Sequence, residues 1–224
     1  LRLVSANLLA GNPRLDEAFA ALRASGADVI ALQELTPAAW PRVLALADEY
    51  PHVLVEPPEP ETWDPNVWGL ALLARRPFTS ARAIGLEPGA FPLLEAEFEL
   101  GGRRVTLRAT HAPDPSSPER WRARDRHLAL VAARSWSAES VLCGDLNLTP
   151  GSASFRALLA RSGLRDTRAG FGFQPTFGAE TLPLGLAITI DHVLAGSAWC
   201  VRERETFALA GSDHRGIRAV LVLR

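Results

Sequence analysis

Short apolar runs of strand length, each ending in a polar or charged side chain, constrain this chain more than any other feature. Leu1–Asn7 alternates and stops at Asn7, and Asp28–Glu34 is a buried-type strand that ends in an acid. Arg103–Thr110 runs into His111, and Val141–Asn147 into Asp145 and Asn147. Ile188–Leu194 carries Asp191, and the triplet Ser212-Asp213-His214 stands just before the last strand, Ile217–Leu223. Further strands are expected over Trp68–Ala74, Thr79–Ile84, Leu93–Leu100 and Trp199–Thr206, with Gly101-Gly102 as a hairpin signal.

Helical spacing fills the gaps. Leu15, Phe19 and Leu22 predict a helix over Leu15–Ala24, broken by Gly26. Ala38–Tyr50 reads as a second, stopped by Pro51, and Glu119–Ser135 as a third. Ser152–Arg161 is a fourth, with Ser152 as its cap and Gly163 as its stop. Glu56–Pro65, Ala112–Pro118 and Arg168–Gly185 read as loops. No repeat or linker divides the chain. Strands dominate, with helices between them, which predicts one α/β sandwich over residues 1–224.

Composition narrows the function classes. Apolar residues are 47% and charged residues 22% of the 224, the balance of a soluble globular protein with a real core. No apolar run is long enough to span a bilayer and no secretory signal opens the chain. The chain begins at Leu1 rather than Met, which leaves a tether upstream open. With a net charge of -1, the whole-protein field does not argue for nucleic acid. All 24 basic residues are arginine, and the plain reading is a bias spread over the entire surface. The cluster Arg120, Arg122, Arg124, Arg126 and Arg134 is accordingly read as a solvated helix face. Cys143 and Cys200 make no metal or disulfide pattern.

Chemistry is expected where the strand ends gather. On an extended backbone residues i and i+2 share a side, so Asp145 and Asn147 would face one pocket; a strand running into an Asx-type turn accounts for the same letters. Glu34, Asp145 and Asp213 are hard oxygen donors suited to magnesium, manganese or calcium, and nothing suggests zinc or an organic cofactor. His214 could act as a base or steady a phosphate, with Asp191 fixing its tautomer. A divalent ion would neutralise phosphate charge and help generate a nucleophilic water.

Taken in order, Asn7, Gln33-Glu34, Gly69–Arg75, Thr110-His111, Gly144-Asp145-Leu146-Asn147, Ile190-Asp191-His192 and Ser212-Asp213-His214 resemble the motifs of the endonuclease/exonuclease/phosphatase superfamily. Deoxyribonuclease I, exonuclease III-type abasic-site endonucleases, neutral sphingomyelinases and inositol polyphosphate 5-phosphatases belong to it. The resemblance implies a four-layered α/β sandwich, two mixed β-sheets flanked by helices, and metal-dependent phosphoester hydrolysis. By motif, Glu34 is the main metal ligand, with Asn7 and Asp213 nearby. Asp145 positions or deprotonates the attacking water, and Asn147 holds a phosphate oxygen. His214, paired with Asp191, contacts the scissile phosphate, and His111 contacts phosphate or assists the leaving group. The chain departs from the pattern at Arg215-Gly216, where proline is frequent, and at Phe177, where many members carry tryptophan.

Three readings follow. The first is a magnesium- or manganese-dependent nuclease acting on DNA as a monomer. The second keeps the hydrolysis and changes the substrate to a phospholipid, sphingomyelin or a phosphomonoester, with a membrane tether before residue 1. The third is a non-catalytic binding module, disfavoured by the complete polar set.

Overall fold

The computed structural model describes residues 1–64, 68–88, 90–179 and 186–224. Pro65, at the end of one expected loop, and residues 180–185 of another lie outside them.

Twelve strands form two six-stranded mixed sheets among the described residues. The first contains β1 (Arg2–Asn7), β2 (Val29–Leu35), β3 (His52–Glu56), β4 (Gly69–Ala74), β11 (Trp199–Ala208) and β12 (Arg215–Leu223) in the order β11-β12-β1-β2-β4-β3. The second contains β5 (Ser80–Ile84), β6 (Leu93–Leu100), β7 (Arg103–Ala109), β8 (Ser140–Asp145), β9 (Arg165–Asp166) and β10 (Asp191–Ala195) in the order β5-β6-β7-β8-β10-β9. Each sheet holds one parallel pair, β1 with β2 and β7 with β8, and each pair is joined through a helix as a parallel crossover requires. Those helices are α1 (Leu15–Ala24) and α3 (Pro118–Ala132); α2 (Trp40–Leu44) and α4 (Ala153–Ser162) complete the set.

The layers follow from alternation along continuously apolar strands. Leu3, Ala31, Leu70 and Leu72 of the first sheet pack on Leu94, Ala96, Leu107, Val141 and Val193 of the second. The intervening residues Val4, Ala6, Ile30 and Leu32 face outward, under Phe19 and Leu22 of α1 and Val43 of α2. Leu142 and Leu194 do the same beneath Leu128 and Val131 of α3 and Phe155 and Leu158 of α4. The result is the expected helix–sheet–sheet–helix sandwich. No helix among the described residues is long and apolar enough to cross a membrane.

Helix ends obey their caps. Ser152 accepts a hydrogen bond from the Phe155 amide, and Gly163 ends α4 in the left-handed conformation at φ +70°. The second helix is shorter than its spacing predicts. It is α-helical only over Trp40–Leu44; bonds three residues apart carry the chain on to Glu49, and the Tyr50 amide closes on the Leu46 carbonyl. Two short strands, β3 and β9, were not expected. Both lie at sheet edges; β3 is half-buried along its length, with no alternation to mark it, and β9 is only two residues long.

Candidate active site

The sheet topology brings distant polar residues to one rim. Asn7 ends β1 beside β2, where it aligns with Gln33. In the second sheet Asp191 lies directly opposite Asp145. Asp213 and His214 immediately precede β12, the neighbour of β1. A cavity of about 540 Å³ opens there, lined by Glu34, His111, Asp145, Asn147, Asp213 and His214 among others. Asn7 and Asp191 stand just behind its wall, bonded to residues that face it. All eight residues singled out in the sequence thus gather in one place.

Asn7 is fully buried and works as a bridge. Its Nδ2 donates to Glu34 Oε1 at 2.9 Å and to Asp145 Oδ2 at 3.1 Å, and its Oδ1 accepts from the Leu9 amide. The Ala10 amide donates to Glu34 Oε2 at 2.8 Å. Glu34 reaches the cavity because β2 is irregular there. Its register with β4 shifts between Leu32 and Leu35, and Glu34 has φ +54°. A bulge of this kind re-aims a side chain, and a non-glycine residue at positive φ is a strain met at functional sites.

The Asp145–Asn147 spacing works differently from the extended-strand expectation. The strand stops at Asp145, and Asn147 turns back with φ +49°. Asp145 Oδ1 accepts from the Asn147 amide at 2.9 Å, which is an Asx turn. The turn and the shared pocket therefore hold together. The Asn147 side chain donates to the Ala112 carbonyl at 2.9 Å.

Around Asp145 lie two histidines. His111 Nε2 stands 3.5 Å and His214 Nε2 3.7 Å from Asp145 Oδ2. His214 Nδ1 sits 2.8 Å from Asp191 Oδ2, and the backbone of Asp191 is anchored by Thr176, whose Oγ1 accepts from the amides of Ile190 and Asp191. Ser212 donates from Oγ to the Asn7 carbonyl and accepts from the His214 amide, so it ties β1 to the last motif. Phe91 stacks on His111 at 4.9 Å between ring centres, and Phe177 meets His214 edge-on at 5.1 Å.

Burial and charge oppose each other at these groups. Burial pulls His214 down, but Asp191, Asp145 and Asp213 outweigh it and lift the imidazole to about 10. His111 likewise loses to burial and gains more from Asp145, so its pKa is raised. Burial pushes Asp145 up, yet bonds and charge from His111 and His214, with the Asn147 amide, hold it below the usual carboxylate range. Asp191 is raised, first by burial and then against the pull of His214 by Asp145. Three carboxylates surround the His214 ring and Nδ1 points at Asp191, an arrangement that favours the protonated imidazole.

The donor set fits a hard divalent cation. Glu34, Asp145, Asp191 and Asp213 concentrate negative charge, and Asp213 Oδ1 and Asp191 Oδ1 are buried oxygens without a hydrogen-bond partner. The tightest metal-capable group is Asp145, Asp191 and His214, with ligand atoms within 4.8 Å of one another. His214 Nδ1 and Asp191 Oδ2 already pair there, which leaves Asp191 Oδ1 and Asp213 Oδ1 as unpartnered oxygens, while both Glu34 oxygens accept hydrogen bonds from Asn7 and Ala10.

One expectation is overturned. Arg124 is not on a solvated face; it is 7% exposed, lines the cavity, and donates from Nη1 to the Asn147 carbonyl. Arg120 and Arg122 are exposed as expected. Sequence reading also passed over Phe91, Thr176 and the bonding role of Ser212. Only Ser212 carried a signal, its place beside Asp213 and His214.

Comparison with known proteins agrees with this architecture. Residues 4–214 match the Endonuclease/Exonuclease/phosphatase family. No curated protein matches the chain. Among solved structures, an endonuclease/exonuclease/phosphatase from Beutenbergia cavernae superposes with a TM-score of 0.80 at 24% identity, over 100% of this chain and 71% of that one. D. rerio TDP2 complexed with single strand DNA product gives 0.76 at 18% identity, over 99% and 98% of the two chains. Sphingomyelinase C from Streptomyces griseocarneus gives 0.68 at 20% identity, over 98% of each. The chain belongs to the endonuclease/exonuclease/phosphatase family, whose sandwich fold it shares.

Proposed function

We propose that the chain is a divalent-metal-dependent phosphodiesterase, a nuclease hydrolysing DNA phosphodiester bonds. The observation that carries this reading is the meeting of Asn7, Glu34, Asp145, Asp191, Asp213, His111 and His214 around one cavity. Glu34 and Asp213, with Asn7 nearby, would hold Mg2+ or Mn2+, with Ca2+ as a third fit; the ion supplies charge neutralisation at the phosphate. Asp145, kept ionised, accepts the proton of the attacking water at Oδ2. Asn147 spends one amide hydrogen on Ala112 and keeps the other for a phosphate oxygen. Asp191 holds His214 by Nδ1, so Nε2–H is free to donate to the phosphate. As the new P–O bond forms, the ester P–O bond breaks and the leaving oxygen takes a proton from His111 Nε2. The D. rerio relative complexed with a single strand DNA product supports a nucleic-acid substrate.

A phospholipid or sphingomyelin substrate is the second reading. Trp68 and Ile188 are half-exposed at the cavity and Phe91 lines it. Its two arginines already pair, Arg120 with Asp114 and Arg124 with Asp125. The sphingomyelinase likeness points the same way.

The test is turnover of plasmid, abasic-site oligonucleotides, sphingomyelin vesicles and bis(p-nitrophenyl) phosphate with Mg2+, Mn2+ or Ca2+, with and without chelator. DNA cleavage that chelator stops is expected. Lipid turnover without DNA cleavage would replace the nuclease reading by the second, and inertness on every phosphoester would remove both.

A further inference from the structure

The loop that carries Asn147 is gripped from outside. Arg124 projects from α3 and donates to the Asn147 carbonyl at 3.0 Å. Its Nε and Nη2 both reach Asp125 Oδ1, at 3.0 and 2.9 Å, and Asp125 Oδ2 accepts from Ser154 of α4 at 3.0 Å. The next carbonyl, Leu148, lies 2.7 Å from Nε2 of the fully buried His192 on β10. Burial lowers the His192 pKa to about 4, so the ring is neutral and Nε2–H is the donor.

Two consecutive peptide carbonyls are thus held from two sides, at a non-glycine residue with φ +49°. That conformation is sparsely populated in a free chain and persists where its surroundings over-determine it. Asn147 needs it, because it points the side chain at Ala112 and the cavity while the amide caps Asp145. Each guanidinium nitrogen is committed to protein, and the residue is 7% exposed.

We propose that Arg124 is a positioning residue, which sets the Asn147 turn through the Arg124–Asp125–Ser154 brace and does not itself bind substrate. As a statement about catalysis this rests on the phosphodiesterase reading above. As a statement about the turn it stands alone.

The experiment pairs two measurements on Arg124→Met, Asn147→Ala, the double variant and Ser154→Ala. Hydrolysis of bis(p-nitrophenyl) phosphate with Mn2+ should lose roughly 10- to 100-fold in kcat in Arg124→Met, with KM within about 3-fold. In the Asn147→Ala background the same change should cost less than about 2-fold. Amide hydrogen exchange should show protection lost at residues 146–149 and kept in β8 and β10. Ser154→Ala, which removes one hydroxyl, keeps the fold and should shift both readouts the same way by less. A full loss in the Asn147→Ala background, or a raised KM at constant kcat, would overturn the proposal in favour of direct substrate contact. If wild type leaves the probe untouched, the phosphodiesterase reading fails. Exchange then decides the brace: unchanged protection at 146–149 in Arg124→Met and Ser154→Ala refutes it.

Discussion

Gly144→Ala is the sharpest test of how the fold makes the site. Gly144 has φ +136°, a region essentially closed to L side chains, and a Cβ built there would lie 1.9 Å from the Thr110 carbonyl oxygen. An ordinary contact needs about 3.4 Å, so β7 and β8 must part by roughly 1.5 Å or the peptide must flip. Neither relaxation is cheap. Thr110 donates its amide to Cys143 at 3.2 Å, Ala112 donates to Asp145 at 2.9 Å, and His192 pairs with Gly144 from the other side. Backbone strain contributes about 1–3 kcal/mol and overpacking about as much again, giving roughly 2–6 kcal/mol. For a protein of this size that lowers Tm by roughly 5–20 °C. Calorimetry of metal-free protein measures it, with Gly85→Ala, where a Cβ meets nothing within 4 Å, as the neutral control. Asp145 follows directly, so any folded Gly144→Ala protein should also lose turnover. A Tm within about 3 °C of wild type would refute the close-approach account.

Other changes probe the chemistry and the core. Asp145→Asn and His214→Ala should each cut turnover by roughly 10²-fold or more, and unchanged rates in both would sink the roles assigned to them. Chelator should abolish hydrolysis and added Mg2+ or Mn2+ restore it, while raising Tm by binding only the folded chain; a Tm indifferent to metal would count against the ion site. His127 and His192 are fully buried with pKa values of about 4, against 6.5 in the unfolded chain. The neutral forms favour folding, so this stability is complete above pH 6.5 and shrinks as pH falls toward 4, by about 2 kcal/mol per histidine at pH 5. Urea midpoints at pH 7.5 and 5 measure it, and a flat profile would show the rings to be solvated. Glu95→Gln should cost about 3–5 kcal/mol, because it strands the buried Arg108 guanidinium bonded at 2.7 Å; Arg82→Ala, on the exposed side of the same carboxylate, should cost under about 1 kcal/mol.

Sequence made the layers and the site legible for one shared reason. A strand buried on both faces must be apolar throughout, so a polar residue at its end stands out, as Asn7 and Asp145 do. Serine and glycine ends of α4 were legible because caps obey local chemistry. Strands β3 and β9 were not: β3 is half-buried without alternation and leads into a proline-rich loop, and β9 is two residues long. Arg124 was missed for a related reason. Alternating arginines along α3 look alike in one dimension, and only the turn at Asn147 distinguishes the one that faces inward.

The bulge at Glu34 shows why a list of residues falls short of a site. Read as a regular strand, Val29–Leu35 would send side chains alternately to the two faces of its sheet, toward the helices or toward the second sheet. A carboxylate on either face would be buried without partners, at a cost of several kcal/mol. The register shift with β4 turns Glu34 out of that alternation, toward the rim. There Asn7 and the Ala10 amide supply the hydrogen bonds that make a half-buried carboxylate tolerable. Asn7 can do so only because β1 runs parallel to β2 and ends at the same level, and its second bond to Asp145 joins the two sheets behind the cavity wall. Three strands from two sheets must therefore end in register before the acids can share one space. That condition belongs to the topology, which is why residues as far apart as Asn7 and Asp145 form one unit.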